Sequence, residues 1–262
     1  FDCLFEKSNM SRLHGAVAAI SQLSLESRSQ LIEAMALLSI RGSATASGGH
    51  APEERLRLQM EEWGLVRDYD FNSRDVPAPE LLDLAKVGDS KRSSVPKKSR
   101  AFDFVIPYKV PGLTPQILIQ GQFYAGDSGS VSHKNVDQTP TGRSAAREAL
   151  KHALFGEFLD GAGYVTALSG DAEKLLNMPD TGLVIQLRSA CVRLREGLQR
   201  VGFATPLEVI HAVWSQVDGN LDSTKRFLAD DYSPTEVNRV VNRTVELGWI
   251  YFSESGLVVQ PD

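Results

Sequence analysis

The sequence predicts an α/β protein in two parts. A core with a mixed β-sheet and flanking helices spans residues 1–203, and a small domain of three helices and a hairpin spans 204–262. Three observations carry this. The middle of the chain runs helix, strand, strand, helix, strand, and a hairpin followed by a crossover helix and a further strand builds a mixed sheet with helices packed on it. At 262 residues and 42% hydrophobic, the chain can bury a sizeable core without disulfide staples. After "VGFATP" the pattern changes to short amphipathic helices ending in two apolar runs.

Residues 11–41 read as helical, with Ser24 or Ser27 placed to cap a helix through "SQLIEAMALLSI". "RGSATASGGHAP" is a loop by composition. "PEERLRLQMEEWG" restarts a helix, with Pro52 in its first turn, acids early and Gly64 at its stop. Residues 66–100 are rich in Pro, Ser and charge, with one short helix near "APELLDLAKVG". "RAFDFVIPYKV" is a strand, "PGLTP" a turn and "QILIQGQFYAG" a second strand. "DSGSVSHKNVDQTPTG" reads as a loop, and "RSAAREALKHALFGEFLDG" as a helix. That helix carries Ala146, Leu150, Leu154 and Phe158 on one stripe, with Gly161 as a stop. "GYVTALSG" is expected as a third strand, with a basic helix at roughly 187–200.

In the tail, "PLEVIHAVWSQV" and "STKRFLADDY" are two short helices and "SPTEVNRVVNRTVELG" is a third. Ser233 suits the N-cap, Pro234 the first helical position, and Glu236 closes a capping box. "WIYFSESGLVV" is a hairpin. Three helices and a terminal hairpin are the layout of a winged-helix domain. On the third helix Val237, Val240, Val241 and Val245 form the apolar stripe, and Asn238, Arg239, Asn242 and Arg243 occupy the other face. Asn reads adenine and Arg reads guanine in the major groove, so these four are the expected DNA-binding residues.

The net charge of -5 argues weakly against nucleic acid, but phosphate binding depends on a local basic face. "KVGDSKRSSVPKKSR" and "RSACVRLREGLQR" supply two such clusters. Cys3 and Cys191 stand far apart with no neighbour at metal-ligand spacing, which points away from structural zinc and toward a reducing cytoplasm. No secretory leader or membrane-spanning run is expected.

"AGDSGSV" contains the Gly-Asp-Ser-Gly that surrounds the nucleophile of trypsin-like enzymes, but the upstream histidines, His14 and His50, lie in helical and Gly-rich contexts, not in the β-barrel such a triad needs. The strand pair is more informative. Asp103 sits among aromatic residues, where a lone carboxylate is costly to bury unless it is paired or binds a cation. Gln120 and Gln122 are two apart and share a strand face. A hairpin that brings that face beside Asp103 makes a cluster of hard oxygen ligands suited to Mg²⁺.

This arrangement resembles the PD-(D/E)XK nuclease superfamily, whose best-known members are type II restriction endonucleases. There an Asp on one strand precedes an acid-x-Lys pair on the next. Asp103 matches the first position, Gln120 the acid and Gln122 the lysine, and 120 minus 103 gives a separation of 17, within the family's range. The resemblance covers roughly residues 20–200. It implies a restriction-endonuclease-like core with metal ligands Asp103, Gln120 and Gln122. Lys134 would supply the positive charge missing at position 122. Glu33, Glu61, Glu62 or Asp127 would add a second carboxylate. The reading is a sequence-specific, Mg²⁺-dependent endonuclease on double-stranded DNA, expected as a homodimer at a palindromic site. Its rival is a non-catalytic winged-helix DNA-binding protein or regulator.

Overall fold

The structure, a computed structural model, describes residues 24, 26–29, 51–85, 100–123, 129–161, 169–216, 220–253 and 256–260. The chain divides into two compact units, 1–48 and 49–262. In the first, Ser24 Oγ accepts the Ser27 N–H at 3.2 Å, the expected cap, and residues 26–29 are helical.

The second unit is mixed α/β. Helix α1 (Ala51–Glu62) and the short α2 (Ala78–Leu84) precede β1 (Phe104–Ile106) and β2 (Ile117–Phe123). Helix α3 (Gly129–Ala149), β3 (Leu154–Asp160), α4 (Ser169–Leu176), β4 (Thr181–Ile185) and α5 (Ala190–Arg200) follow. The four strands form one sheet in the order β1-β2-β3-β4. β1 pairs antiparallel with β2, and β2, β3 and β4 run parallel. Parallel neighbours need crossovers, and α3 and α4 supply them.

Strand alternation divides the core between the two faces. Ile117, Ile119, Phe104 and Phe158 pack with Leu56 and Met60 of α1 and with Leu194 and Leu198 of α5. Leu118, Val105 and Phe155 pack on the other side with Ala146 and Leu150, at the end of α3. Each fully buried large side chain contributes about 1.5–3 kcal/mol of transfer free energy. By the same alternation Gly121 falls on the α1 face, and Gln120 and Gln122 on the α3 face.

Two segments depart from the sequence reading. The expected loop at 127–142 is helical from Gly129 onward, and α3 runs through Pro140. Gly142 in that helix permits a close approach: a Cβ there would lie 2.9 Å from the Arg100 carbonyl. The expected helix ends at Ala149, and Leu154–Asp160 is a fully paired strand instead. Positions 146, 150, 154 and 158 share a helical stripe, but every second residue from 154 also shares a strand face, and tertiary pairing selects the strand. The predicted strand at 163–170 lies mostly outside the described residues, and Ser169 and Gly170 already belong to α4. β4 takes the outer place in the sheet.

The tail comprises α6 (Pro206–Ser215), α7 (Leu221–Leu228), α8 (Pro234–Glu246) and the antiparallel pair β5 (Ile250–Ser253) and β6 (Gly256–Val259). Its own apolar cluster includes Ala204, Val209, Val237, Val240, Val241 and Ile250, whereas Phe203 packs into the sheet core. Ser233 Oγ caps α8 by accepting the Glu236 N–H at 3.3 Å. The Glu236 carboxylate, expected to close a capping box on Ser233, turns instead to the Ala204 N–H and to Arg239.

Candidate metal centre and nucleic-acid face

Regular pairing of β1 with β2 ends at Phe104 and Ile119. Gly121, two residues further along β2, therefore meets side chains where a neighbouring strand would otherwise continue. Asp103 Oδ2 accepts its N–H at 2.6 Å, and the Arg100 guanidinium donates to its carbonyl. Arg100 Nη2 stands 3.8 Å from the same Oδ2. The Asp103 backbone is held as firmly: its carbonyl accepts from Asn72 Nδ2 at 2.8 Å and Arg57 Nη2 at 3.2 Å, while Asn72 Oδ1 accepts the Val105 N–H at 2.6 Å.

Two further carboxylates meet Asp103 there. Glu53 projects from the first turn of α1, and Asp75 from the segment leading to α2. One ligand oxygen from each of Glu53, Asp75 and Asp103 lies within 4.8 Å of the others. The cluster grades from interior to surface, with Asp103 and Glu53 8% exposed and Asp75 open to solvent. Burial pushes the Asp103 carboxyl up to about 7; Glu53 and Asp75 add to the rise, while Arg100 and the Gly121 N–H oppose it. Three hard oxygens converge there, compensated in part by Arg100 and Arg57, and a hard divalent cation suits such a ligand set. Gly121 keeps the space free of a side chain: a Cβ there would lie 3.4 Å from Glu53 Oε1 and 3.5 Å from Asp103 Cγ.

The structure does not bring Gln120 and Gln122 to this cluster, which corrects the expected ligand trio. Their side chains leave the other face of β2. Gln120 Nε2 donates to the Ala101 carbonyl at 3.3 Å and lies against Gly142 of α3. Gln122 lies beside Glu157. That face holds an ion pair of Arg143 with Glu157, 2% and 0% exposed at their side chains. Arg143 also donates to Thr181 Oγ1 at 2.8 Å. Burial pushes the Glu157 carboxyl up, and Arg143 pulls it back only in part.

Lys134 lies in α3, but its side chain, like Glu33 and Asp127, is outside what the structure describes. Glu61 is engaged by Arg67 at 2.9 Å, and Glu62 faces the tail beside Leu207. The cations that do approach the acid cluster are Arg100, 3.8 Å from Asp103 Oδ2, and Arg57, 3.9 Å from Glu53 Oε2. Glu53 and Asp75 were missed because nothing local marks them. Gly121 between the glutamines was the available signal, since a strand-interior glycine often marks a close approach. Glu157, flanked by Phe155 and Phe158, would have invited the same reasoning as Asp103 had its segment been read as a strand.

On α8, Asn238 and Asn242 are exposed as expected, and Asn238 Oδ1 accepts from Lys225 Nζ at 2.8 Å. Arg239 is a correction: its guanidinium turns inward to Glu236, Ala204 and Asp70 and is not presented to a groove. Arg243 is half-buried and meets Glu246 at 3.3 Å. The basic helix α5 is likewise largely paired: Arg193 meets Glu196 at 3.3 Å, Arg195 meets Glu208 at 2.5 Å, and Arg200 donates to the Gly182 carbonyl at 3.0 Å. Cys191 on α5 is an exposed free thiol. Among the described residues no helix is long and apolar enough to cross a membrane. Compared with known proteins, the chain matches no family model, no curated protein and no solved structure.

Proposed function

We propose that this chain is a Mg²⁺-dependent endonuclease of the restriction type acting on double-stranded DNA, with Glu53, Asp75 and Asp103 as its cation-holding residues. One observation carries the reading: three carboxylates from separate segments converge within 4.8 Å at the end of a β-hairpin in a mixed sheet. Carboxylates so close repel one another, and a shared cation offsets the repulsion that Arg57 and Arg100, at 3.9 and 3.8 Å from Glu53 and Asp103, leave in place. When bound, a divalent cation neutralises charge at the scissile phosphate and acidifies a water.

The chain's own groups do the rest. Asp103 is held by Gly121 and Arg100, so its orientation is set before substrate arrives. Asp75, the exposed member, is the carboxylate of the three that solvent and an incoming phosphodiester can reach. The tail, read as a winged helix, offers Asn238 and Asn242 as base-reading groups, amides suited to adenine. Cutting both strands of a palindromic site calls for a homodimer with two such clusters.

The test is plasmid nicking with Mg²⁺ by the unmodified chain and by the Glu53→Gln and Asp103→Asn variants, beside a gel shift. Cleavage lost in both variants with binding retained supports the proposal. DNA binding without any cleavage by the unmodified chain would favour a non-catalytic DNA-binding protein. Full cleavage by both variants would refute this site.

A further inference from the structure

Arg239 joins the tail to the sheet domain. Its Nε and Nη2 donate to the two Glu236 oxygens at 2.8 and 2.6 Å, and Nη2 also donates to the Ala204 carbonyl at 2.8 Å. Nη1 stands 3.4 Å from Asp70 Oδ1, and the guanidinium lies over the Phe203 ring at 4.3 Å. The planar fork of arginine thus ties α8, the 203–204 junction and a loop of the core in one contact.

That core loop leads straight to the acid cluster. Asp70 is 1% exposed, and its second oxygen accepts the Val66 N–H at 2.8 Å. Two residues on, Asn72 donates to the Asp103 carbonyl. Three residues beyond it comes Asp75, itself a member of the cluster. The far end of α8 is docked as well, because Gly64, at the end of α1, leaves no room for a side chain: a Cβ would lie 2.6 Å from Pro206 Cγ and 2.9 Å from Leu247 Cδ1. Helix α8 is therefore fixed to the core near both ends, and its N-terminal half, the end that enters a groove in helix-turn-helix proteins, is fixed by Arg239.

We propose that Arg239 is a positioning residue that fixes helix α8 against the core, so that the distance between the bases read by Asn238 and Asn242 and the bond cut at the acid cluster is constant. This rests on the nuclease reading above. Asp70 is the core half of the clamp. Without it, the N-terminal end of α8 keeps the Glu236 bond to the Ala204 N–H and the Gln199–Asp231 bond just ahead of the helix, but loses its direct tie to the loop that leads to Asp75.

The experiment has two arms on the full chain. Spin labels are placed at the native Cys191 on α5 and at Thr235→Cys on the first turn of α8, in a Cys3→Ser background, and the distance distribution between them is measured. A single narrow distribution is expected, broadened or shifted in Arg239→Gln and, independently, in Asp70→Asn. In the second arm, unlabelled protein cuts DNA with Mg²⁺ and the ends are mapped. The unmodified chain is expected to cut at one offset. The variants are expected to spread cuts over neighbouring bonds and to slow at the original bond by roughly a hundredfold, since displacements near 1 Å cost that much. Asp70→Asn keeps the shape of the loop, so it carries the test if Arg239→Gln does not fold. A distribution unchanged in a folded variant overturns the clamp whatever the cleavage result. A single unchanged offset in both variants overturns its role in setting the cut. Absence of cleavage by the unmodified chain counts against the nuclease reading, and the label distances still decide the clamp.

Discussion

Replacing Asp103 by Asn removes one charge from the acid cluster and keeps its shape. The wild-type carboxyl is pushed from an ordinary 3.8 to about 7, chiefly by burial. At about 1.4 kcal/mol per pH unit, holding it ionised in the cation-free fold costs at most roughly 4 kcal/mol. A raised carboxyl fixes the sign. Below pH 4 it is protonated both folded and unfolded, and no penalty exists. Between pH 4 and 7 only the folded form holds the proton, so stability falls as pH rises; above pH 7 the penalty is complete. The Asn variant lacks this decline. Its Oδ1 can still accept the Gly121 N–H, and the attraction to Arg100 and the charge-assisted part of that bond, which go with the charge, are already contained in the raised value. The expected gain at pH 8 is therefore at most roughly 4 kcal/mol. Part of the pH slope persists, because the Glu157 carboxyl is raised in the same direction. Cation binding moves oppositely: a carboxylate next to a cation contributes on the order of 4 kcal/mol per unit charge before desolvation, so affinity falls by about a hundredfold or more. Urea unfolding of cation-free protein at pH 5 and pH 8, beside calorimetric titration with Mg²⁺ and Mn²⁺, measures both. A variant with wild-type cation affinity and an unchanged pH slope would refute the electrostatic account of this cluster.

Gln122→Ala should leave cation affinity within about twofold of wild type, because the amide projects from the opposite strand face and water replaces a neutral ligand readily in any case; a hundredfold loss on titration would restore the glutamine to the metal site. Arg143→Met should cost about 3–5 kcal/mol at pH 8 by leaving Glu157 buried and uncompensated. The cost should shrink toward pH 6 as that raised carboxyl takes a proton, and equal losses at the two pH values in urea unfolding would contradict it.

The amino-acid order alone determined the elements whose signals are local. Pro52 and Gly64 frame α1, Ser233 and Pro234 start α8, and alternation with β-branched and aromatic residues marks β1 and β2. Asp103 was also legible, because a carboxylate between Phe102 and Phe104 needs a partner wherever the strand ends up. The tertiary structure decided what depends on which strand lies beside which. Residues 154–160 carry spacing compatible with either a helix or a strand, and only their pairing with β2 made them β3 and turned Glu157 toward Arg143. Continued by one residue, the register of β1 on β2 would set Asp103 opposite Gln120, but the regular pairing ends at Phe104 and the Asp103 carboxylate turns to the N–H of Gly121. Glu53 and Asp75 reach that place from 50 and 28 residues upstream of it. Arg239 reads as a surface residue by helical periodicity, yet it is drawn inward, because Asp70 offers a buried oxygen that no spacing along the chain records, beside Glu236 three residues before it on the helix. Helical and strand periods are set by backbone geometry within a few residues, whereas a carboxylate's neighbours are set by contacts between distant segments.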